Sequence, residues 1–164
     1  MTDVAFMREA LAEAQIAFEM GEVPIGAVLV WDGRIVARAH NTRELEKNAL
    51  GHAECSAIAQ ACGVLGGWRL HRAVLYVTLE PCPMCAGAIV NARIPRVVWG
   101  ADDARAGAFG SVMQMNDYPL NHKPELVRGV LSEECGALMT SFFERLREKR
   151  SSGIRRLKKS DFMK

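Results

Sequence analysis

Two remote stretches of this chain carry metal-binding side chains that have to meet in space. His52-Ala53-Glu54 comes first, and Pro81-Cys82-Pro83-Met84-Cys85 follows, with 27 residues between Glu54 and Cys82. Cys82 and Cys85 stand three positions apart, a spacing that turns both sulfurs toward one ion from one face of a helix. His52 can join them only if the start of a second helix packs alongside the first. Any fold of this chain must therefore bring two helix N-termini together. Ligands of this type suit zinc, and three of them leave a fourth position for water, which marks a catalytic rather than a structural site. Glu54 adds a carboxylate that need not be a ligand and can move protons for that water.

Length and composition bound the rest. At 164 residues, with 49% hydrophobic and 24% charged residues, the chain reads as one domain over 1–150 and a basic tail over 151–164. No apolar run approaches the roughly 18 residues needed to span a bilayer. Asp3, Arg8 and Glu9 interrupt the apolar pattern at the N-terminus, unlike a secretory signal. The five cysteines are an odd number and the closest pair has metal spacing, which points to a reducing, cytoplasmic setting. The net charge of +2 is unevenly spread: from Arg145 onward, nine lysines and arginines face only Glu148 and Asp161. Such a segment can reach for phosphates or can simply solvate a helix end.

Val4, Met7, Leu11, Ala14 and Phe18 recur at helical intervals, with Gly21 placed to stop the helix. Residues 25–30 and 35–39 flank Asp32-Gly33 and read as a β-hairpin. Residues 41–51 form a polar loop, and a helix is expected over about 52–62, ahead of Gly63 and Gly66-Gly67. Residues 73–79 have the content of a buried strand. Residues 82–92 suit a helix with Pro83 in its first turn, and 96–100 another strand. Little regular structure is expected over 101–124. A fifth strand is expected over 126–130. Ser132, an N-cap candidate, then opens a helix with Leu138, Phe142 and Leu146 on one face. This order predicts an α/β fold, a mixed five-stranded sheet with helices on both faces.

Three plainer readings compete with a catalytic zinc. Cys82 and Cys85 could be a redox pair, which needs neither His52 nor Glu54. His52, Cys55, Cys82 and Cys85 could close around a structural zinc, since Cys55 also stands three residues after His52. Glu54 could be an ordinary acidic residue in a helix's first turn.

His-x-Glu followed by Pro-Cys-x-x-Cys is the known signature of zinc nucleobase deaminases, and further segments agree with it. Val23-Pro24-Ile25-Gly26-Ala27-Val28 precedes it. Leu79 to Ile89, Arg96 to Asp103 and Gly107-Ala108-Phe109-Gly110-Ser111 follow in order. In content and order, over roughly residues 4–147, these resemble bacterial tRNA-specific adenosine deaminases. The resemblance implies a cytidine deaminase-like three-layer α/β/α fold, a homodimer, and one zinc per subunit held by His52, Cys82 and Cys85, with Glu54 as proton shuttle. It implies hydrolytic conversion of adenosine to inosine at the wobble position of a tRNA anticodon stem-loop, that of an arginine tRNA. Asn41 matches an asparagine that contacts the flipped nucleotide, and Asp103 an acidic position near the RNA backbone. Ile25, Ala53 and Pro81 would wall the base pocket. Phe142-Phe143-Glu144-Arg145 resembles the family's C-terminal helix, where aromatics pack and basic groups approach RNA. Two places depart from the pattern: Cys55 stands where a plain apolar side chain is usual, and Leu50-Gly51 before the histidine is less typical. A deaminase of a free base, nucleoside or nucleotide such as guanine or cytosine shares the zinc chemistry and stays open beside the tRNA reading. So does a non-catalytic zinc module in which Cys55 matters and Glu54 does not.

Overall fold

The computed structural model describes residues 1–152, so the basic tail lies outside the described residues from position 153 onward. Helix α1 (Asp3–Glu19) starts at Thr2, whose hydroxyl accepts the Ala5 N–H, and the chain then turns at Gly21. Strands β1 (Gly26–Trp31) and β2 (Arg34–His40) form the expected hairpin. Asp32 and Gly33 take φ values of 49° and 76°, the consecutive left-handed pair whose twist matches that of the strands it joins. The one-turn helix α2 (Arg43–Glu46), α3 (Ala53–Leu65), β3 (Ala73–Leu79), α4 (Pro83–Asn91), β4 (Arg96–Ala101), β5 (Glu125–Arg128) and α5 (Ser132–Ser151) follow.

The five strands lie in the order β2-β1-β3-β4-β5. β1 is antiparallel to both neighbours, whereas β3, β4 and β5 run parallel, which makes the sheet mixed as expected. Strand periodicity sorts the side chains between two layers. Ala27, Leu29, Leu75, Val77, Val97 and Trp99 meet Ala57, Ala61, Ala86 and Ile89 of α3 and α4. Val28, Val30, Tyr76 and Val98 meet Phe6, Met7 and Ala10 of α1 and Cys135 of α5. Covered on both faces, β1, β3 and β4 read as nearly continuous apolar runs. The architecture is a three-layer α/β/α sandwich.

At Gly26 the backbone of β1 comes up against that of helix α1. A Cβ on Gly26 would collide with the Ala10 carbonyl and the Ala14 amide, so the two backbones meet only because this residue has no side chain. Gly26→Ala is expected to destabilise the fold by about 3 kcal/mol through overpacking. The check is a lowered urea midpoint at an unchanged m value.

A second fastening is electrostatic. Arg96 donates to both carboxylate oxygens of Asp3 at 2.9 and 2.8 Å, and the Tyr76 hydroxyl donates to one of them at 2.7 Å. The Arg96 guanidinium holds the Asp3 carboxyl below the usual carboxylate range. Its stabilising contribution is therefore complete at neutral pH and is lost as pH falls through the depressed value. Asp3→Asn is expected to cost about 1 kcal/mol at neutral pH, a modest figure because the pair is partly exposed. Urea titrations should show the gap from the native protein closing in acid.

Several boundaries differ from the sequence expectation. α3 runs through Gly63 to Leu65 and ends at Gly66, left-handed at φ 69°. One glycine inside a helix costs only about 1 kcal/mol, whereas a left-handed glycine is a true stop. Leu131, at φ 54°, occupies the cap position of α5, and Ser132 is already helical. β5 stops at Arg128 because Gly129, at φ 86°, turns the chain. The polar loop contains α2 and is closed by Thr42 N–H to Gly51 O at 3.0 Å.

Candidate active site

Helices α3 and α4 both begin without a capping side chain. Their N-cap residues are His52 (φ −88°, ψ 146°) and Cys82 (φ −74°, ψ 172°), and neither side chain bonds to its own helix. They turn toward each other instead. Pro83 occupies the first helical position of α4, where its missing N–H is harmless, and Cys85 follows one turn on.

His52 Nδ1 lies 3.5 Å from Cys82 Sγ and 3.5 Å from Cys85 Sγ. The three donor atoms all lie within 4.8 Å of one another. Tetrahedral zinc, with bonds of about 2.0 Å to nitrogen and about 2.3 Å to sulfur, sets the N···S separation at about 3.5 Å. The donor set fits zinc. Cys55 Sγ is 3.7 Å from Cys85 Sγ, yet Cys55 is not part of the mutually close cluster. The four-ligand closed site that the spacing leaves open is thus not the cluster that the described residues form.

The electrostatics suit a cation and a mobile proton. Two helix N-termini point their positive ends at the thiols, which favours thiolate. Hydrogen bonding with Cys85, and then with His52, holds the Cys82 thiol down at about 4. Cys85 is buried and is pushed up, first by its hydrogen bond to Cys55 and then by the one to Cys82. The hydrogen bond to Cys82 raises His52 above its ordinary value. Glu54 sits in the first turn of α3, only 4% exposed, and burial pushes its carboxyl up to about 7. A carboxyl so placed exchanges its proton near neutrality.

His52, Glu54 and Cys82 line a cleft of about 590 Å³. Part of its lining comes from Val23, Ile25, Asn41 and Arg43, and part from Leu79, Glu80 and residues 101–106. Gly136, Met139 and Phe143 of α5 complete the lining. Ile25, Asn41 and Asp103, singled out in the sequence, all belong to it. Ala53 and Pro81 do not: Ala53 is fully buried in the core, and buried Pro81 offers its carbonyl to the Ala108 N–H at 2.9 Å. Asn41 is buried, donates to Val23 O at 3.4 Å and accepts the Arg43 N–H at 3.2 Å, so it closes an Asx turn while facing the cleft. Asp103 likewise accepts the Arg105 and Ala106 N–H groups at 2.9 and 3.3 Å. In α5, Phe142 is buried against Phe18, whereas Phe143 is 38% exposed and reaches the cleft.

Sequence reasoning passed over Arg43, Arg105 and Met139, which also line the cleft, and two buried acids, Glu22 and Glu80, the second of which is part of the lining. Glu22 accepts the Leu45 N–H at 2.6 Å and so pins α2. Glu80 accepts hydrogen bonds from the Asp103, Phe109 and Ser111 N–H groups. The available signal was an acid at the end of an otherwise apolar strand, a position that needs partners to be buried.

The sequence matches the MafB19-like deaminase family over residues 1–147. It is 52% identical over 156 residues to the tRNA-specific adenosine deaminase of Bacillus subtilis (strain 168), covering 94% of this chain and 97% of that protein. A structure from a study of A-to-I editing by tRNA:A34 deaminases at the wobble position of transfer RNA superposes with a TM-score of 0.80. The two share 46% identity, over 82% of this chain and 98% of the other. Guanine deaminase from Bacillus subtilis matches less well, at 31% identity and a TM-score of 0.61 over 90% and 95% of the two chains. The agreement runs through the whole sandwich, far beyond the metal motif, and the chain belongs to the tRNA-specific adenosine deaminase family and carries a MafB19-like deaminase domain.

Proposed function

We propose that this protein hydrolyses adenosine to inosine at the wobble position of a tRNA anticodon. The observation that carries the chemistry is the buried Glu54 carboxyl beside a donor set that fits zinc, with Glu54, His52 and Cys82 all lining one cleft. The substrate is that named for the relative sharing half of the sequence. When held by His52 Nδ1, Cys82 Sγ and Cys85 Sγ, zinc supplies the Lewis acidity that lowers the pKa of a water molecule toward about 7.

The chain's own residues do the rest. Glu54 takes a proton from the attacking water as its oxygen bonds to C6 of the purine, and passes that proton to the adjacent ring nitrogen N1. It then carries the second water proton to the departing amino group, so that the C6–N bond breaks with loss of ammonia and a carbonyl remains. Ile25, Val23 and Leu79 give the base apolar walls and exclude bulk water. Asn41 hydrogen-bonds the flipped nucleotide and Asp103 a ribose hydroxyl, while Ala53 and Pro81 shape the pocket from behind. Arg43 and Arg105 approach the phosphates. An anticodon loop suits such a cleft because its bases can be splayed out without melting a duplex.

The substrate is an arginine tRNA, the enzyme works as a homodimer, and it acts in the cytoplasm with the tRNA pool. Among the described residues no helix is long and apolar enough to cross a membrane. Zinc-loaded protein incubated with an arginine-tRNA anticodon stem-loop bearing wobble adenosine should yield inosine. Free adenosine, guanine and cytosine should yield no product. Product from a free base alone would keep the zinc chemistry and overturn the substrate.

A further inference from the structure

Glu80 closes β3 on the segment leading to Cys82, and no step of the reaction uses it. It is 2% exposed, yet its carboxylate is fully partnered. One oxygen accepts the Phe109 and Ser111 N–H groups, each at 3.1 Å, and the other accepts the Asp103 N–H at 3.1 Å and the Ser111 hydroxyl. Every donor belongs to residues 103–111. This segment has no strand or helix of its own and makes only an isolated bridge, from Phe109 to Gln114. Two backbone bonds reinforce the attachment, Glu80 N–H to Ala101 O and Ala108 N–H to Pro81 O, both at 2.9 Å. Gly107 packs so tightly on the carboxylate that a Cβ there would collide with it.

This segment is a wall of the cleft, since Asp103, Ala104, Arg105 and Ala106 line it. Without a strand or helix of its own, the segment is held by a few turn bonds such as Gly107 N–H to Asp103 O at 2.9 Å and by side-chain contacts, and Glu80 accepts four hydrogen bonds from it at one point. We propose that Glu80 is a positioning residue for substrate: it folds residues 103–111 around its carboxylate and fixes the Asp103 wall relative to Cys82, and so sets how the nucleotide seats over Glu54. This inference rests on the reading of the cleft as a nucleotide site.

Glu80→Gln keeps the size of the side chain but turns an NH₂ group toward backbone N–H donors. Zinc content should be unchanged, and kcat should stay within about threefold of the native value. KM for the anticodon stem-loop should rise by about 10- to 100-fold, the effect of buried donors left unpaired and a displaced binding wall. Amide hydrogen exchange should quicken in residues 103–111 and not in β3 or β4. Ser111→Ala removes one donor only and should raise KM by about fivefold, and it tests the same hold if Glu80→Gln fails to fold. A fall in kcat with KM unchanged, faster exchange throughout the sheet, or unchanged KM and exchange would each overturn the proposal. The exchange pattern is read without substrate, so it separates this inference from the substrate assignment. If the native protein deaminates a free base instead, the KM comparison is made on that base.

Discussion

Glu54→Ala is expected to abolish inosine formation while leaving zinc and fold in place. Glu54 faces the cleft from the first turn of α3, beside the ligand triad rather than within it. Its burial keeps the carboxyl near 7, where it can both take and give a proton at neutral pH. A positioned acid–base group contributes about 10²- to 10⁴-fold. In the proposed mechanism Glu54 handles protons at both attack and ammonia release, so the loss in kcat should lie near the top of that range. Glu54→Gln should be as inactive, since a carboxamide has the shape but cannot shuttle a proton. The measurements are single-turnover inosine formation and zinc per chain. Activity within tenfold of the native enzyme would remove Glu54 from the chemistry, and loss of zinc would make it a support for the ligands.

Metal ligation yields the second large effect. His52→Ala and Cys85→Ala should each lose zinc, and turnover with it should fall on the order of 10³-fold or more, the several kcal/mol of barrier lowering that a Lewis acid provides. A strong chelator should do the same to the native protein, and added zinc should restore it. Cys55→Ser should keep about one zinc per chain and most of its activity, because Cys55 stands outside the mutual cluster. These variants separate a catalytic site from a closed structural one: zinc loss in Cys55→Ser, with turnover intact in Glu54→Ala, would reverse the assignment. Folding itself should survive removal of the metal, since two apolar clusters cover both faces of the sheet independently of the ligands.

Much of this molecule is legible without coordinates wherever the determining forces act over a few residues. Asp32-Gly33 specifies its hairpin because the turn needs two left-handed residues in succession. Pro83 marks the first turn of α4 because that turn alone tolerates a missing N–H. The buried strands show as apolar runs because both faces are covered. The wall around Glu80 was not legible, since its donors lie 23 to 31 residues downstream and are backbone amides that every residue carries. Nor was the absence of buried Ala53 and Pro81 from the cleft lining.

Cys55 marks the limit most sharply. His52 and Cys55 occupy the N-cap and third position of α3, just as Cys82 and Cys85 occupy those of α4. Residue spacing alone makes the two pairs equivalent, and it determined that zinc-binding chemistry would sit at two helix starts. Which three donors converge was decided by the way α3 and α4 rest on the sheet. That packing brings His52 Nδ1 to 3.5 Å from both sulfurs of α4 and leaves the Cys55 sulfur outside the cluster, a relation between distant segments that only the shared hydrophobic core can set.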